Sequence, residues 1–300
     1  METWNSNNSP FQQSASGAQV HRRVLQFPCS SWQEAEDRSF LSPEDAGDFP
    51  PVVVVFSPSG GTGKTGLVAN LGRALALQGE DVLLVDTSLQ ENLIHYFGAA
   101  RAYPGDVQTA YDRKTDSRVR LAQLPIACHG PDGDGGGWLR DEIAAVAVNC
   151  DRIVVDLSTA SRWLTWQIFR MSPLLLIPML PDWNAVHSLP GIERFLDLAA
   201  DPDRFPIEPN FLLNQFRPQV PFHRTVSDEL RSRLGDRLLS LVLHHSLDVD
   251  EALAQGKTVL DFEPDAQVSR DYRALAGWIR GRSWLTNEQC TCATVVHGVS

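Results

Sequence analysis

The sequence predicts an α/β fold, a mostly parallel twisted sheet with helices on both faces. Three observations lead there. Short runs rich in Val, Leu and Ile recur between residues 50 and 245, without the polar alternation of a sheet wetted on one side. Stretches with helical spacing of apolar residues separate them, and that alternation builds parallel βαβ units. The first run passes directly into Ser57-Pro-Ser-Gly-Gly-Thr-Gly-Lys-Thr65, a glycine-rich loop of the kind that joins a strand to a helix.

Taken in order, Val52–Phe56 reads as a buried strand. Gly66–Gln78 reads as a helix with Leu67, Val68, Leu71 and Leu75 on its apolar side, and Gly79 stops it. Asp81–Val85 and Leu121–Ala127 are the next strands. His129–Gly137 holds five glycines and two aspartates. Its acids would repel phosphate, so it reads as a mobile loop and not as a second phosphate site. Asp141–Val148 follows as a helix, then Arg152–Leu157 and Leu174–Met179 as strands. Leu189–Ala200 is a helix, Phe211–Asn214 a strand, Ser227–Leu234 a helix, Leu238–His244 a strand and Arg270–Arg280 a closing helix. One domain over 49–284 accounts for this pattern better than two. Residues 285–300 read as a flexible tail.

Residues 1–48 differ in kind. Met1–Ala18 is rich in Ser, Asn and Gln, and the whole stretch reads as a largely disordered acidic arm. Seven acids against three arginines give it a net charge of −4. Within it Ser31-Trp-Gln-Glu34 is a capping box that could open a short helix carrying Trp32, Ala35 and Phe40. Such a segment can dock a partner or pack on the protein's own domain, and the sequence leaves both open.

Composition narrows the function. The chain has 300 residues, 43% of them hydrophobic, and a net charge of −11. An acidic chain is poorly suited to neutralising DNA phosphates or anionic lipid, so neither nucleic-acid binding nor direct membrane insertion is expected. No run approaches the ~18 apolar residues of a membrane span, and the N-terminus has Gln, Asn and Ser where a signal peptide would be apolar. The five cysteines are odd in number and scattered, as expected of reduced thiols in the cytoplasm. Cys290-Thr-Cys292 lacks zinc-site spacing. His244 and His245 are adjacent on a strand and point to opposite faces, which disfavours a shared metal.

The loop carries the chemistry. Gly60, Gly61 and Gly63 permit positive φ and remove Cβ atoms, so backbone N–H groups from Ser59, Gly60, Gly61, Thr62, Gly63, Lys64, Thr65 and Gly66 can close on phosphate oxygens. Lys64 supplies a point charge for the β- and γ-phosphates, and the Thr65 hydroxyl suits Mg²⁺. The general motif has Gly where this chain has Pro58. Arg152-Ile-Val-Val-Asp156 is an apolar strand ending in a carboxylate, the position from which an Asp faces Mg²⁺ at the C-terminal edge of a P-loop sheet. A nucleoside triphosphate with Mg²⁺ is therefore the expected ligand, and the resemblance below makes it ATP.

These motifs resemble the MinD/ParA group of P-loop ATPases. Ser59-Gly-Gly-Thr-Gly-Lys-Thr65 is similar to that group's Lys-Gly-Gly-x-Gly-Lys-Thr loop. Leu84-Val-Asp86-Thr-Ser88-Leu-Gln-Glu-Asn92 is similar to its Asp-x-Asp-Pro-Gln-x-Asn motif. Leu212-Leu-Asn214-Gln-Phe-Arg-Pro218 resembles the strand whose Asn reads the adenine edge, and Glu251–Val259 a late segment near the base. The resemblance implies a P-loop NTPase of the MinD/ParA type, with Lys64 and Asp86 in the catalytic roles, Asn214 at the base, and Thr65 and Asp156 on the metal. Two positions depart. The family's signature lysine, which reaches across a dimer to the partner's phosphates, is Ser59. The second Asp of the next motif, which positions the attacking water, is Ser88.

With the His244–Asp250 run, these losses resemble the BcsQ/YhjQ branch of bacterial cellulose-synthesis operons. That implies an ATP-binding regulatory protein of the cellulose synthesis machinery, a nucleotide-sandwich homodimer with weak or absent hydrolysis. It would be cytoplasmic and recruited to the inner membrane by membrane-associated synthase components. The competing expectations are a ParA/MinD-type positioning ATPase and a non-catalytic ATP-bound scaffold.

Overall fold

A computed structural model describes residues 49–88, 92–98, 107–110, 118–123, 143–144, 146–158, 162–169, 171, 173–199 and 207–282. The strands are β1 (Val52–Phe56), β2 (Val82–Asp86), β3 (Val107–Ala110), β4 (Val119–Gln123), β5 (Arg152–Leu157), β6 (Leu174–Met179), β7 (Pro209–Phe216) and β8 (Leu238–His244). The helices are α1 (Lys64–Leu77), α2 (Arg162–Phe169), α3 (Trp183–Ala199), α4 (Pro221–Leu234), α5 (Asp248–Ala254), α6 (Val259–Phe262) and α7 (Gln267–Arg280). A 3-10 turn spans Asn92–Phe97.

One eight-stranded sheet runs in the order β3-β4-β2-β5-β1-β6-β7-β8. Every pairing is parallel except β3 with β4. All five residues of β1 are buried, as befits a central strand covered on both sides. Val53 and Val55 face α1, α6 and α7. Val52, Val54 and Phe56 face α2, α3 and α4. Each fully buried valine contributes roughly 1.5 kcal/mol or more relative to exposure. The expected fold class, with helices on both faces, is what the chain adopts.

Several boundaries differ from the sequence reading. β4 starts at Val119, two residues before the expected Leu121. Helix α3 begins at Trp183, not at Leu189, because Asp182 accepts a hydrogen bond from Ala185 N at 2.8 Å and caps it there. Pro190 lies inside this helix and does not start it. Helix α4 begins at Pro221, where the missing N–H costs nothing. Strand β3 and helices α2, α5 and α6 are elements that the sequence reading lacks. The arm at 1–48, the loop at 129–137 and the tail beyond 282 lie outside the described residues.

Across the α1 face a set of buried polar contacts ties the last helices to the first. Asn70 is fully buried. Its Nδ2 donates to Gly66 O at 2.8 Å and its Oδ1 accepts from Val259 N at 2.8 Å. Arg73 donates from Nε and Nη2 to Asp261. The second and third turns of α1 are thereby fixed to α6, which steadies the helix that follows the loop.

Candidate functional site

The site forms at the C-terminal edge of the sheet, where β1, β2, β5 and β7 end. Gly61 and Gly63 have φ of +75° and +83°, the left-handed region that suits glycine. A Cβ on Gly63 would stand 2.5 Å from Asn214 Nδ2, whereas one on Gly60 would meet nothing within 4 Å. Asn214 donates from Nδ2 to Thr62 O at 2.8 Å, and its Oδ1 accepts from Gln215 N at 3.0 Å. Gln215 holds φ of +57°, and the β7–β8 register shifts between Leu213 and Phe216. That turn seats the Asn214 amide against the loop.

Lys64 Nζ donates to two loop carbonyls, Ser57 O at 3.3 Å and Ser59 O at 3.2 Å. Burial lowers the pKa of its ammonium, and Asp156 opposes that shift. Thr65 Oγ1 donates to Asp156 Oδ2 at 2.6 Å. The Asp156 carboxyl is pushed up to about 6 by burial, with Asp86 adding and the Thr65 hydrogen bond and Lys64 opposing. Asp86 and Asp156 are register partners on adjacent strands, which is why one carboxylate acts on the other.

The Asp86 carboxylate is buried. Its Oδ1 accepts from Ser88 N at 2.7 Å and its Oδ2 from Leu93 N at 3.2 Å. It therefore fixes the backbone that leads into the 3-10 turn. Gln123, the register partner of Asp86 on its other side, donates from Nε2 to Ser88 O at 2.6 Å. Ser59 is exposed at the lip of the loop, and its N–H reaches Ser57 Oγ at 3.3 Å. A Cβ on Gly66 would come within 3.0 Å of the Tyr96 hydroxyl. Burial first, then Asp250 and Asp156, push that phenol up to about 12.

The arrangement fits a nucleoside triphosphate with Mg²⁺. The Thr62 hydroxyl is buried without a partner among the described residues. The Lys64 ammonium is bonded to carbonyls that phosphate oxygens could replace. A hydroxyl and a carboxylate at 2.6 Å are the hard oxygen donors that Mg²⁺ takes alongside phosphate. Gly60 to Gly66 would cradle phosphate, with Thr65 and Asp156 on the metal side. The ion would offset charge on the phosphoryl oxygens. Among the described residues no group of three or more His, Cys, Asp and Glu could hold a metal by itself.

Residues 53–259 match the CobQ/CobB/MinD/ParA nucleotide binding domain family. The chain belongs to the MinD/ParA family. Chromosome partitioning protein ParA of Caulobacter vibrioides is 24% identical over 246 residues, covering 75% of this chain and 92% of that protein. Sporulation initiation inhibitor protein Soj of Bacillus subtilis is 25% identical over 249 residues, covering 75% and 96%. Among solved structures, septum site-determining protein MinD of Pyrococcus horikoshii, complexed with Mg-ADP, matches with a TM-score of 0.57 at 18% identity, covering 78% of this chain and 97% of that one. A point variant of Cyanothece McdA in complex with ATP matches with a TM-score of 0.63 at 18% identity, covering 80% and 100%. Among the described residues, no helix is long and apolar enough to cross a membrane.

Within this MinD/ParA domain the structure brings Ser59 to Gly66, Asp86, Asp156 and Asn214 to one edge. The sequence reading missed three supports. Thr87 Oγ1 donates to Asp156 O at 2.8 Å and accepts from Ser158 N at 2.8 Å, so it fixes the end of β5. Gln123 and Tyr96 are the others. Only Thr87, inside a quoted motif, had a signal nearby. Gln123 becomes visible only through strand register. Because the Gly63 Cβ position is filled, Gly63→Ala is expected to lower the urea midpoint by the equivalent of about 1–3 kcal/mol. Gly60→Ala should stay within about 0.5 kcal/mol.

Proposed function

We propose that the chain is a Mg-ATP-binding regulatory protein that forms a nucleotide-sandwich homodimer and hydrolyses ATP slowly or not at all. The observation that carries this is a glycine loop that brings Lys64 and Thr65 to Asp156 in a chain with serines at 59 and 88. Lys64, Thr65 and Asp156 supply what binding needs. The two serines cannot supply a cation for the transferring phosphoryl group or a carboxylate for the attacking water. Family membership and the Mg-ADP complex of the related MinD support nucleotide and Mg²⁺ as ligands.

Asn214 serves the base in this reading. Its two bonds leave one amide N–H and one oxygen lone pair, and adenine offers the complementary acceptor and donor. ATP is expected to bind at least about tenfold tighter than GTP in a competition titration, a difference of about 1.4 kcal/mol. Equal affinities would remove the adenine assignment. Light scattering with Mg-ATP should give twice the monomer mass, and a monomer with and without nucleotide would refute the dimer.

The finer assignment is to a membrane-associated cellulose synthase complex, with this protein on the cytoplasmic side. It rests on the resemblance of Ser59, Ser88 and the His244–Asp250 run to the BcsQ/YhjQ branch. A positioning ATPase is the second reading, favoured by the names of the ParA and Soj relatives. An in-frame deletion separates them. Loss of cellulose with normal nucleoid segregation supports the first, and the reverse phenotype the second.

A further inference from the structure

Two large apolar side chains stand exposed at neighbouring helix starts. Trp183 opens α3 and is 40% exposed, and Phe222 lies in the first turn of α4 and is 46% exposed. The two helices follow adjacent parallel strands, β6 and β7, so both begin on the edge of the sheet that carries the P-loop. Their starts are neighbours, because Met179 and Leu213 pair where the two strands end and α3 packs against α4. Single exposed hydrophobics need no explanation, but a shared patch does.

The patch is edged by cations. Arg217 and Arg224 are exposed. Arg217 Nη2 meets His245 Nε2 at 2.6 Å, and its backbone N–H donates to His223 Nδ1 at 3.0 Å. Arg224 Nε donates to Pro218 O at 2.8 Å, which holds that guanidinium at the mouth of α4. Asp182 is the acid facing this group, and its Oδ1 is used in capping α3. The patch is thus two exposed aromatics at neighbouring helix starts, with Arg217 and Arg224 on the Phe222 side, on a protein whose net charge is −11.

The chain itself carries the complement. Residues 31–40 hold three acids and one arginine, a net charge of −2, together with Trp32 and Phe40. If the capping box at Ser31 opens a helix, Trp32, Ala35 and Phe40 fall on one side of it. The chain enters the domain on the correct face. Phe49 packs against the core cluster that lies under α2, α3 and α4. The eight residues from Leu41 to Asp48 can span roughly 26 Å when extended. From the start of β1 the patch lies about 17 Å up the strand and about 10 Å across two strands.

We propose that residues 31–40 dock in cis on the Trp183–Phe222 patch, with Glu34, Glu36 and Asp37 facing Arg217 and Arg224. The test is hydrogen exchange on the full chain at low salt. Backbone amides of 183–188 and 222–226 should exchange at least about tenfold faster in Trp32→Ser/Phe40→Ser, and likewise in Arg217→Glu/Arg224→Glu. Restoring the charges with Glu34→Arg/Glu36→Arg/Asp37→Arg in the second variant should recover protection. Equal exchange in the wild type and the arm variant would overturn the proposal. So would protection that grows with protein concentration, since a second copy would then cover the patch.

Discussion

Lys64→Ala is expected to abolish detectable ATP binding while leaving the domain folded. Nζ touches the carbonyls of Ser57, which is buried, and Ser59, which is exposed. Losing those bonds leaves one acceptor near solvent and one in the interior, a cost to the fold of about 1–3 kcal/mol. Losing the ammonium costs the ligand more. Two charge-assisted bonds to phosphate at about 1.5–3 kcal/mol each amount to a hundredfold or greater loss of affinity. The carboxylates add to it. Asp86 and Asp156 are register partners at the same edge, and Lys64 is the cation that acts on Asp156. Without it, the anionic ligand meets acids with less compensation. Calorimetric titration with Mg-ATP checks the affinity, and a thermal melt checks the fold. An affinity within about threefold of the parent, a difference of roughly 0.6 kcal/mol, would take Lys64 out of the site.

How much of this is legible without the structure differs from element to element. The P-loop can be read because its chemistry is local. Glycines, a lysine and a threonine at fixed spacing after a four-valine strand constrain one another within fourteen residues. Asp156 can be read because an apolar run ending in a carboxylate marks the C-terminal edge of a parallel sheet. The supports are not legible, because strand register makes them. Gln123 reaches Ser88 only since β4 lies beside β2, and no spacing within the chain states that pairing. Asn70 is similar. Its position in α1 reads as an ordinary helical polar residue, yet it is buried and bonded to Val259, 189 positions away. The shortened reading of α3 has a local cause. The sequence reading starts it at Leu189, and the cap at Asp182 lies seven residues earlier. The Asn214 amide reads as a base contact. Its bond to Thr62 O adds a second task, bracing the phosphate loop.

Restoring the family residues, Ser59→Lys with Ser88→Asp, is expected to raise ATP turnover from near the blank by at least about tenfold. A cation brought to the transferring phosphoryl group is worth roughly 10³–10⁵ in rate in related chemistry, so tenfold is a low threshold. The two positions differ in what they tolerate. Ser59 is exposed at the lip of the loop, and a lysine there should change stability by no more than about 0.5 kcal/mol. Ser88 is held more tightly. Its N–H and carbonyl are bonded to Asp86 and Gln123, and its hydroxyl is buried without a partner among the described residues. A carboxylate at 88 would sit beside Asp86, and like charges at short range disfavour ionisation. Ser88→Asp alone should therefore destabilise the ligand-free protein, and Mg-ATP should recover part of the loss by binding the folded state. The double variant should match the mass of the parent in light scattering with Mg-ATP and release phosphate under saturating Mg-ATP. Adding Lys64→Ala to it should return the rate to the blank, which ties any gain to this site. Brisk turnover in the unmodified protein would show that Ser59 and Ser88 do not limit hydrolysis. A double variant that binds Mg-ATP and dimerises, yet stays at the blank, would place the deficit elsewhere in the fold.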